Sequence, residues 1–348
     1  MDHSSVSWGV DENISTWTSS SKSLKIHDIT IQRSITAEAL ENSIHIDEGD
    51  SSPGPHSMGA LLGRDGTNVS FHHNLLAHNQ DRNPRISGIV GAEVVNNVIY
   101  NWGGGPVKIS DHENVVHVLN NYFKPGVDSA DRDIQFTNGG IDPGTRIHVS
   151  GNYVDPILGE TRNVDSNEAR DTDSENDVIV RYAPGWSDAT PPGYRALVEQ
   201  FDSPLSTVHS AQDAYTNVLD DVGATLPFHD SVDARILSEV VSRTGSIIDS
   251  QDERGGWPVY NAGTPLTDSD GDGMPDSWEA SQGLNSAVDD SALDVDGDGY
   301  TNIENYINGL FDARPSENVA PVANADSAST EINTAVTITH THTVGVTR

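Results

Sequence analysis

The chain has 348 residues and a formal net charge of −34, from 53 acidic and 19 basic residues. This excess of negative charge excludes a nucleic-acid-binding protein, since phosphates are bound by Lys and Arg, whereas it favours cation binding. The sequence contains no cysteine, so disulfides and thiol chemistry are excluded. No apolar run of about 18 residues occurs, and no membrane span is expected.

The two ends of the sequence have the character of interrupted domains. Residues 1–15 lack the basic and apolar regions of a signal peptide and have the pattern of a strand-rich domain. Residues 320–348 resemble the beginning of another β domain. We therefore expect the sequence to be a fragment of a longer protein.

Short β-rich segments recur in the first half of the chain, each alternating apolar with polar residues and ending near Asn or Ser. A recurring Asn is spaced by 23, 24 and 31 residues. Such a period predicts a solenoid, here an all-β, right-handed parallel β-helix. A stacked Asn can satisfy the backbone groups of each turn with its amide. A β-sandwich with regular turns is the alternative. The segments are 27–35, 68–76, 92–100, 114–123 and 146–154, and the recurring residues are Asn74, Asn97, Asn121 and Asn152.

Between Gly193 and Asp252 the pattern changes to apolar residues at i, i+3 and i+4, which is typical of helices. Helical segments are predicted at 193–200, 211–224 and 231–248. We expect them to wrap the solenoid or to cap its end, because an open sheet edge requires cover.

The segment DSDGDGMPDSWE (268–279) fits the twelve-residue EF-hand loop. Gly273 supplies the sharp turn at position 6, and Glu279 supplies the carboxylate at position 12. Ca²⁺ takes six to eight oxygen ligands, which explains the spacing. A solvated acidic loop is the alternative. The predicted ligands of this first loop are the side chains of Asp268, Asp270, Asp272, Asp276 and Glu279 and the backbone carbonyl of Met274.

The segment DVDGDGYTNIEN (294–305) repeats the design. Its last position is Asn305, whose single neutral oxygen predicts weaker binding unless Glu304 takes its place. The pair of loops resembles the thrombospondin type 3 and dockerin-like calcium repeats of bacterial secreted enzymes, which implies a structural role. The predicted ligands of this second loop are Asp294, Asp296, Asp298, Tyr300, Asn302 and Asn305.

A larger resemblance covers about residues 1–260. The segment FHHNLLAHNQDRNPRISG (71–88), followed by EVVNNVIYNW (93–102), resembles polysaccharide lyase family 1, the pectate lyases. An Arg-x-Pro sequence alone is a weak signal, but its position after His-His-Asn and between two predicted strands makes it specific. Supporting segments are 2–15, 55–63, 210–236 and 247–258.

The resemblance implies calcium-dependent cleavage of polygalacturonate by β-elimination, in a secreted protein that acts as a monomer. Three alternatives remain open. A polygalacturonase would require paired carboxylates for acid–base catalysis. A pectin lyase would dispense with Ca²⁺, and a non-catalytic calcium-binding β-helix would only bind polysaccharide.

The resemblance also implies roles for individual residues. Arg82 matches the arginine that removes the substrate proton at C5, although Arg is normally always protonated. A dry site crowded by cations would lower its pKa, or Arg82 could stabilise the enolate instead. The implied ligands of a catalytic Ca²⁺ are Asp2, Asp11 and Glu12. The implied substrate-binding residues are Arg85, Lys108 and His56.

Other interpretations of these residues are structural. Arg82 could form a solvated ion pair with Asp81, and Asp2 and Asp11 could be turn residues. Glu12 could likewise be structural while Asp11 alone binds the metal ion.

Two further features bear on substrate binding. Ser87 occupies a position where the family often has a second Arg, so Arg85 must compensate or affinity is reduced. Trp8 and Trp102 are candidates for stacking on sugar rings or for packing in the core.

Together the patterns divide the sequence into three parts. Residues 1–262 form the expected pectate-lyase-like β-helix, and residues 263–312 form the calcium-repeat module. Residues 313–348 are expected to be a linker and the first strand of a truncated module of immunoglobulin or cadherin type.

Overall fold

In the computed structural model, the described residues are 1–18, 25–46, 50–129, 134–136, 144–155, 168–170, 179–182, 195–197, 208–226, 228–260 and 263–312. The predicted linker and truncated module at 313–348 lie outside these ranges. The chain divides into two compact units, Met1–Tyr260 and Asn261–Arg348.

The first unit is dominated by strands. In chain order they are β1 Ser5–Ser7, β2 Glu12–Thr16, β3 His27–Gln32, β4 Ile35–Ala37, β5 Met58–His72, β6 Leu75–Ala77, β7 Arg85–Val95, β8 Val98–Tyr100, β9 Val107–Ser110, β10 Val115–Leu119, β11 Tyr122–Lys124, β12 Ile134–Phe136, β13 Arg146–Ser150, β14 Tyr153–Val154, β15 Glu168–Arg170, β16 Ile179–Tyr182 and β17 Arg195–Leu197. Helices α1 Ala211–Asp221 and α2 Ser231–Ser242 follow, with a short 3₁₀ turn at Gln251–Arg254.

The strands form two mainly parallel sheets. The smaller sheet has the order β1-β4-β6-β8-β11-β14, and the larger contains eleven strands, including β2, β3, β5, β7, β9, β10 and β13. Among the described strands, only β15 and β16 pair antiparallel. The first unit is therefore mostly parallel β-sheet with few helices, which is compatible with the predicted parallel β-helix.

Each predicted β segment contains two strands, one in each sheet, separated by a sharp bend. The residue at the bend adopts a left-handed backbone conformation, as in His73, with φ 55°, and Asn96, with φ 55°. This conformation is tolerated best by Gly and by Asn or Asp, so the recurrent Asn-Asn and Gly-Asn pairs match the geometry. The alternation of short apolar runs with Asn therefore correctly located the bends.

The residue after each bend forms the predicted asparagine ladder. The backbone N–H and the side-chain amide of Asn74 donate to Oδ1 of Asn97, at 2.9 and 3.1 Å. Asn97 donates in the same way to Asn121, and Asn121 donates to Asn152. These four side chains are buried, so their amides satisfy backbone groups that water cannot reach.

Apolar side chains fill the space between the sheets, and the helices pack outside the smaller sheet. Phe71 and Trp102 are fully buried in the central cluster, which confirms core packing for Trp102. A second cluster joins the smaller sheet to Val218 of α1 and Ile236 of α2. Within the described ranges, no helix combines the length and apolarity that a membrane crossing requires.

One predicted helix is wrong. In the segment 193–200, residues Arg195–Leu197 form strand β17, which pairs with β13. Addition to the edge of a sheet supplies backbone hydrogen bonds from another strand, and this tertiary pairing overrides the local helical pattern. The predicted helices at 211–224 and 231–248 are present as α1 and α2, but they end at Asp221 and Ser242, so residues 243–248 are not helical.

In the second unit, residues 263–312 contain two short helices, α3 Asp276–Gln282 and α4 Asn302–Asp312. Each one follows an acidic loop. Trp278 of α3 lies edge-on to Tyr306 of α4, with ring centroids 5.2 Å apart. The two helices therefore contact each other within this small unit.

Replacing Asn97 by Ala tests the ladder. The substitution leaves the backbone N–H of Asn74 and the carbonyl of Phe71 without their partners. Since each buried unsatisfied group costs about 1–3 kcal/mol, we expect the free energy of unfolding to fall by about 2–5 kcal/mol. Asn217→Ala on the exposed face of α1 is the control and should leave denaturant unfolding almost unchanged. Equal midpoints for both variants would contradict the ladder's role.

Candidate functional site

Strand register brings Glu12 close to Arg82. Glu12 of β2 pairs with Met58 at the start of β5, and Met58 forms a bridge with Asp81. Nη1 of Arg82 contacts the carboxylate of Glu12 and lies 3.6 Å from Oδ1 of Asp11. Three of the residues implied by the sequence resemblance therefore meet at one place.

Arg82 is held in an unusual environment. Its backbone lies in the left-handed region, with φ 60°, a strained conformation that is frequent at functional sites. Its side chain is 16% exposed. Burial lowers the pKa of the Arg82 guanidinium below its usual value, the charge of Arg85 lowers it further, and Asp11 opposes both effects. The surroundings thus make deprotonation of this group easier than in water.

His56 is a buried neighbour of Asp11. Its Nε2 lies 2.7 Å from Oδ1 of Asp11, and only 6% of the residue is exposed. The ring of His45 stacks against His56, with centroids 4.1 Å apart. Ligand atoms of these three residues lie within 4.8 Å of one another. His56 is therefore positioned to orient the Asp11 carboxylate.

Two basic side chains occupy neighbouring positions on β7 and β9. Arg85 pairs with Lys108 in the parallel register. Lys108 contacts the carboxylate of Asp81, and Arg85 donates to Oδ2 of Asp111 at 2.6 Å. Burial raises the pKa of the Asp111 carboxyl, but hydrogen bonds from Arg85 and Ser110 outweigh it and hold that pKa below its usual range. Both basic residues are thus oriented by acidic neighbours.

The interpretation of Arg82 as a surface partner of Asp81 does not describe this arrangement. The Asp81 carboxylate accepts a hydrogen bond from the backbone N–H of Arg82 and contacts the amine of Lys108. The Arg82 side chain is instead directed at Glu12.

Asp2 lies apart from this group. It forms a bridge with Gln32, accepts a hydrogen bond from the Gln32 side chain at 3.0 Å, and lies 2.7 Å from Nδ1 of His3. Gln32 pairs with His72 at the end of β5, whereas Glu12 pairs at its beginning. Because β5 is 15 residues long, the structure does not bring Asp2 to Asp11 and Glu12.

The first acidic loop of the second unit has the geometry of a cation site. Oδ1 and Oδ2 of Asp268 accept hydrogen bonds from Gly271 and Gly273, whose φ values are 76° and 94°. Oδ2 of Asp270 and Oδ2 of Asp272 are buried and have no hydrogen-bond partner among the described residues. The loop therefore holds carboxylate oxygens that no described residue neutralises.

Glu279 is the buried acidic residue of this loop. It is fully buried, and both carboxylate oxygens lack a hydrogen-bond partner among the described residues. Burial raises the pKa of the Glu279 carboxyl, and the charges of Asp270 and Asp272 raise it further. Ligand oxygens of Asp272, Glu279 and Asp290 lie within 4.8 Å of one another. An oxygen-preferring cation fits this donor set.

Two predicted ligands of the first loop have other contacts. Asp276 accepts hydrogen bonds at 2.7 Å from the backbone and the hydroxyl of Ser269, which closes the loop. The backbone N–H of Met274 donates to Asp272 at 2.9 Å, and its side chain is fully buried.

The second loop repeats this backbone geometry in a more exposed setting. Asp294, Asp296 and Asp298 are exposed and bring ligand oxygens within 4.8 Å. The backbone N–H of Tyr300 donates to Asp298, as Met274 donates to Asp272. Oδ1 of Asn302 accepts from the backbone N–H of Val295 at 3.4 Å, as Oδ1 of Asp276 accepts from Ser269 in the first loop.

Asn302 donates to the carbonyl and to Oδ1 of Asp290, at 2.9 and 3.0 Å. Asn305 directs its amide nitrogen at Oδ1 of Asp298, 3.5 Å away. Glu304 accepts from Thr301, so it does not take the place of Asn305 in the loop.

Sequence reasoning missed three acidic or imidazole groups of these sites. Asp111 follows strand β9 directly, so its proximity to a predicted basic strand was a usable signal. His45 lies in an irregular segment, and no pattern connects it to His56. Asp290 stands outside both twelve-residue motifs, and only the folded chain places it beside Glu279.

Comparison with known proteins gives related chains. No protein-family profile matches. The chain is 36% identical over 317 residues to a probable pectate lyase C of Aspergillus oryzae, covering 89% of this chain and 65% of that protein. Proteins of the same name from Aspergillus flavus and Neosartorya fischeri are 36% and 33% identical, over 65% and 64% of their lengths. The chain thus spans slightly less than two thirds of these curated relatives, and over most of its own length it is similar to fungal proteins named as probable pectate lyases.

Proposed function

We propose that this protein is a calcium-dependent pectate lyase that cleaves polygalacturonate by β-elimination and releases 4,5-unsaturated oligogalacturonides. The observation that carries the proposal is the placement of Arg82 between the acidic pair Asp11 and Glu12 and the basic pair Arg85 and Lys108. The similarity to probable pectate lyases supports it. We expect the enzyme to be secreted and to act as a monomer.

Arg82 is the proposed base. One nitrogen of its neutral guanidine accepts the proton from C5, the electron pair forms the C4–C5 double bond, and the bond from C4 to the glycosidic oxygen breaks. The departing oxygen takes a proton from solvent. Burial and the charge of Arg85 favour the neutral form of Arg82, which this step requires, whereas Asp11 opposes it and Glu12 contacts the same guanidinium. A cation held by Asp11 and Glu12 would neutralise both carboxylates and so remove their preference for a charged Arg82.

Asp11 and Glu12 supply the carboxylate oxygens for a catalytic Ca²⁺, with His56 orienting Asp11. Ca²⁺ prefers oxygen ligands, and two carboxylates leave positions for substrate and water. When bound, the ion draws electron density from the uronate carboxylate and so acidifies the proton at C5. Asp2 lies elsewhere and is not part of this proposed site.

Arg85 and Lys108 are the proposed carboxylate-binding residues. They lie side by side on the outward face of β7 and β9. Arg85 presents a planar group suited to bidentate binding of a carboxylate. Asp111 and Asp81 fix the orientation of these side chains before substrate arrives, which reduces the entropy lost on binding.

The proposed fold of the first unit is a right-handed parallel β-helix. Along the chain from β1 to β14, each strand of the smaller sheet is followed by one or two strands of the larger sheet, and the described strands pair in parallel except β15 with β16. Parallel crossovers of this kind are right-handed in nearly all proteins. The asparagine ladder joins equivalent bends of successive strand pairs, as expected for stacked coils.

For the second unit we propose a structural calcium-binding role. Asp268, Asp270, Asp272 and Glu279 form the first site, and Asp290 joins them from outside the twelve-residue motif. The second loop provides Asp294, Asp296 and Asp298. Its exposure and the absence of a buried glutamate predict weaker binding than in the first loop.

The first test is direct. Incubation of the chain with polygalacturonate and Ca²⁺ should give a rise in ultraviolet absorbance from unsaturated product, and a chelator should abolish it. Reducing ends without ultraviolet-absorbing product would indicate a hydrolase such as a polygalacturonase. Activity that survives chelation would indicate a pectin-lyase-like mechanism, and absence of any cleavage would indicate a binding protein.

The role of Arg82 is tested by Arg82→Lys, which keeps a positive charge but loses the planar guanidine. General base catalysis contributes about 10²–10⁴-fold, so kcat should fall by about that factor with little change in KM. Arg85→Lys is the matched comparison, and there KM should rise more than kcat falls. Steady-state kinetics in saturating Ca²⁺ measures both. If Arg82→Lys retained more than about a tenth of kcat, Arg82 would not be the base.

The calcium module is tested by Glu279→Gln. Removing a buried charge should protect residues 263–312 from proteolysis in chelator, yet abolish the additional protection that Ca²⁺ gives the unmodified chain. Asp290→Asn should raise the Ca²⁺ concentration needed for protection, whereas exposed Asp289→Asn should not. Limited proteolysis with mass spectrometry locates the cleavages. Full Ca²⁺-dependent protection in Glu279→Gln would contradict the proposed site.

A further inference from the structure

An exposed tryptophan lies at the end of the strand that carries Glu12. Trp17 follows β2 directly and is 46% exposed. Thr16 pairs with Leu62, so Trp17 comes beside Gly63. A Cβ atom on Gly63 would lie 3.0 Å from Cζ3 of Trp17. The indole ring therefore rests on the surface that the glycine leaves open.

Strand register places this ring on the same face as the basic pair. Leu61 pairs with Arg85, and Gly63 pairs with Ser87. Because side chains alternate along a strand, positions two residues apart share a face. The indole of Trp17, over Gly63, therefore lies on the face that carries Arg85 and Lys108, about 7 Å further along the strands.

The position of the Trp17 ring also explains why a small residue, Ser87, occupies the neighbouring strand. This residue is fully buried, and its Cβ lies 3.2 Å from the position that a Cβ on Gly63 would occupy. The Ser87 hydroxyl is directed at Asp111, at 3.3 Å. A long basic side chain at position 87 would have to displace the indole of Trp17. Aromatic surface thus occupies the place where an arginine was expected.

Arg64 adds a cation beside the ring. Its Cζ lies 5.9 Å from the centroid of the Trp17 ring, within the range of a cation–π interaction. Its Nε has no hydrogen-bond partner among the described residues. The hydroxyl of Thr18 donates to the Arg64 carbonyl at 2.9 Å, which ties the two segments together.

We propose that Trp17 and Arg64 form an additional subsite for one galacturonate residue of the polymer, next to the residues that perform the cleavage. A pyranose ring has a face of C–H groups that stacks on an indole, and a uronate also carries a carboxylate that pairs with a guanidinium. Arg85 is already engaged by Asp111, so Arg64 beside the Trp17 ring supplies the guanidinium of this subsite. The inference rests on the proposed pectate lyase function.

Binding measured without turnover tests this subsite. Titration calorimetry with polygalacturonate in saturating Ca²⁺ would use the Arg82→Lys chain as parent. Adding Trp17→Ala should weaken binding about tenfold, which corresponds to about 1.4 kcal/mol. Trp17→Phe should restore most of the affinity, because it keeps an aromatic face. Phe228→Ala removes an exposed aromatic side chain outside the proposed subsite and should change nothing.

A second variant separates stacking from charge. Arg64→Ala should weaken binding of polygalacturonate more than binding of fully methyl-esterified pectin, because the ester has no carboxylate charge. Trp17→Ala should weaken both by similar factors.

Three outcomes would overturn the subsite. Parental affinity in Trp17→Ala would remove the subsite and leave the lyase proposal intact. Failure of Trp17→Phe to recover affinity would show that stacking is not the cause of the loss. A parent chain that binds no polygalacturonate would overturn both the subsite and the proposed function.

Discussion

The buried amide ladder is the constraint on which the first unit depends. At the bends after β3, β5, β7 and β10, backbone N–H groups lie out of reach of water and donate to the side chains of Asn74, Asn97, Asn121 and Asn152. An amide can donate and accept at once, so one side chain serves both its own bend and the next. Because the ladder fixes the bends, it also fixes the register of the strands that leave them. That register sets which side chains face outward together, and it places Glu12 near Arg82 and Arg85 beside Lys108.

The sequence predicts the features that arise from local chemistry. The alternating segments, the ladder positions and helices α1 and α2 are visible because period and residue type report directly on local geometry. The strand at Arg195–Leu197 is not, since it depends on pairing with β13. The residues of the candidate site likewise comprise some that a local motif identifies and others that only the folded chain brings together. The motif around Arg82 identifies its centre, but no local pattern places Asp2 at one end of β5 and Glu12 at the other. Asp290 likewise joins Glu279 only through the folded chain.

The proposed polyanionic ligand would have to approach a chain of net charge −34. At physiological ionic strength charges are screened over about 8 Å, so groups near the ligand outweigh distant ones. Within the site Arg82, Arg85 and Lys108 each contact an acidic side chain, namely Glu12, Asp111 and Asp81. These contacts hold the basic groups in fixed positions. A carboxylate of the proposed ligand would therefore compete with internal partners, which favours selection by geometry over attraction by charge alone.

Glu12 and Glu279 are both largely buried, but their carboxylates differ in whether the protein compensates their charge. Glu12 is largely buried, and the guanidinium of Arg82 compensates its charge within the protein. Glu279 is fully buried among Asp270, Asp272 and Asp290, with no donor for either oxygen among the described residues. An uncompensated buried carboxylate is unstable unless it is protonated or meets a cation. The Glu12 carboxylate therefore has a cationic partner within the protein, whereas the Glu279 carboxylate has none among the described residues. The need for an external cation is consequently more acute in the small second unit than at the candidate active site.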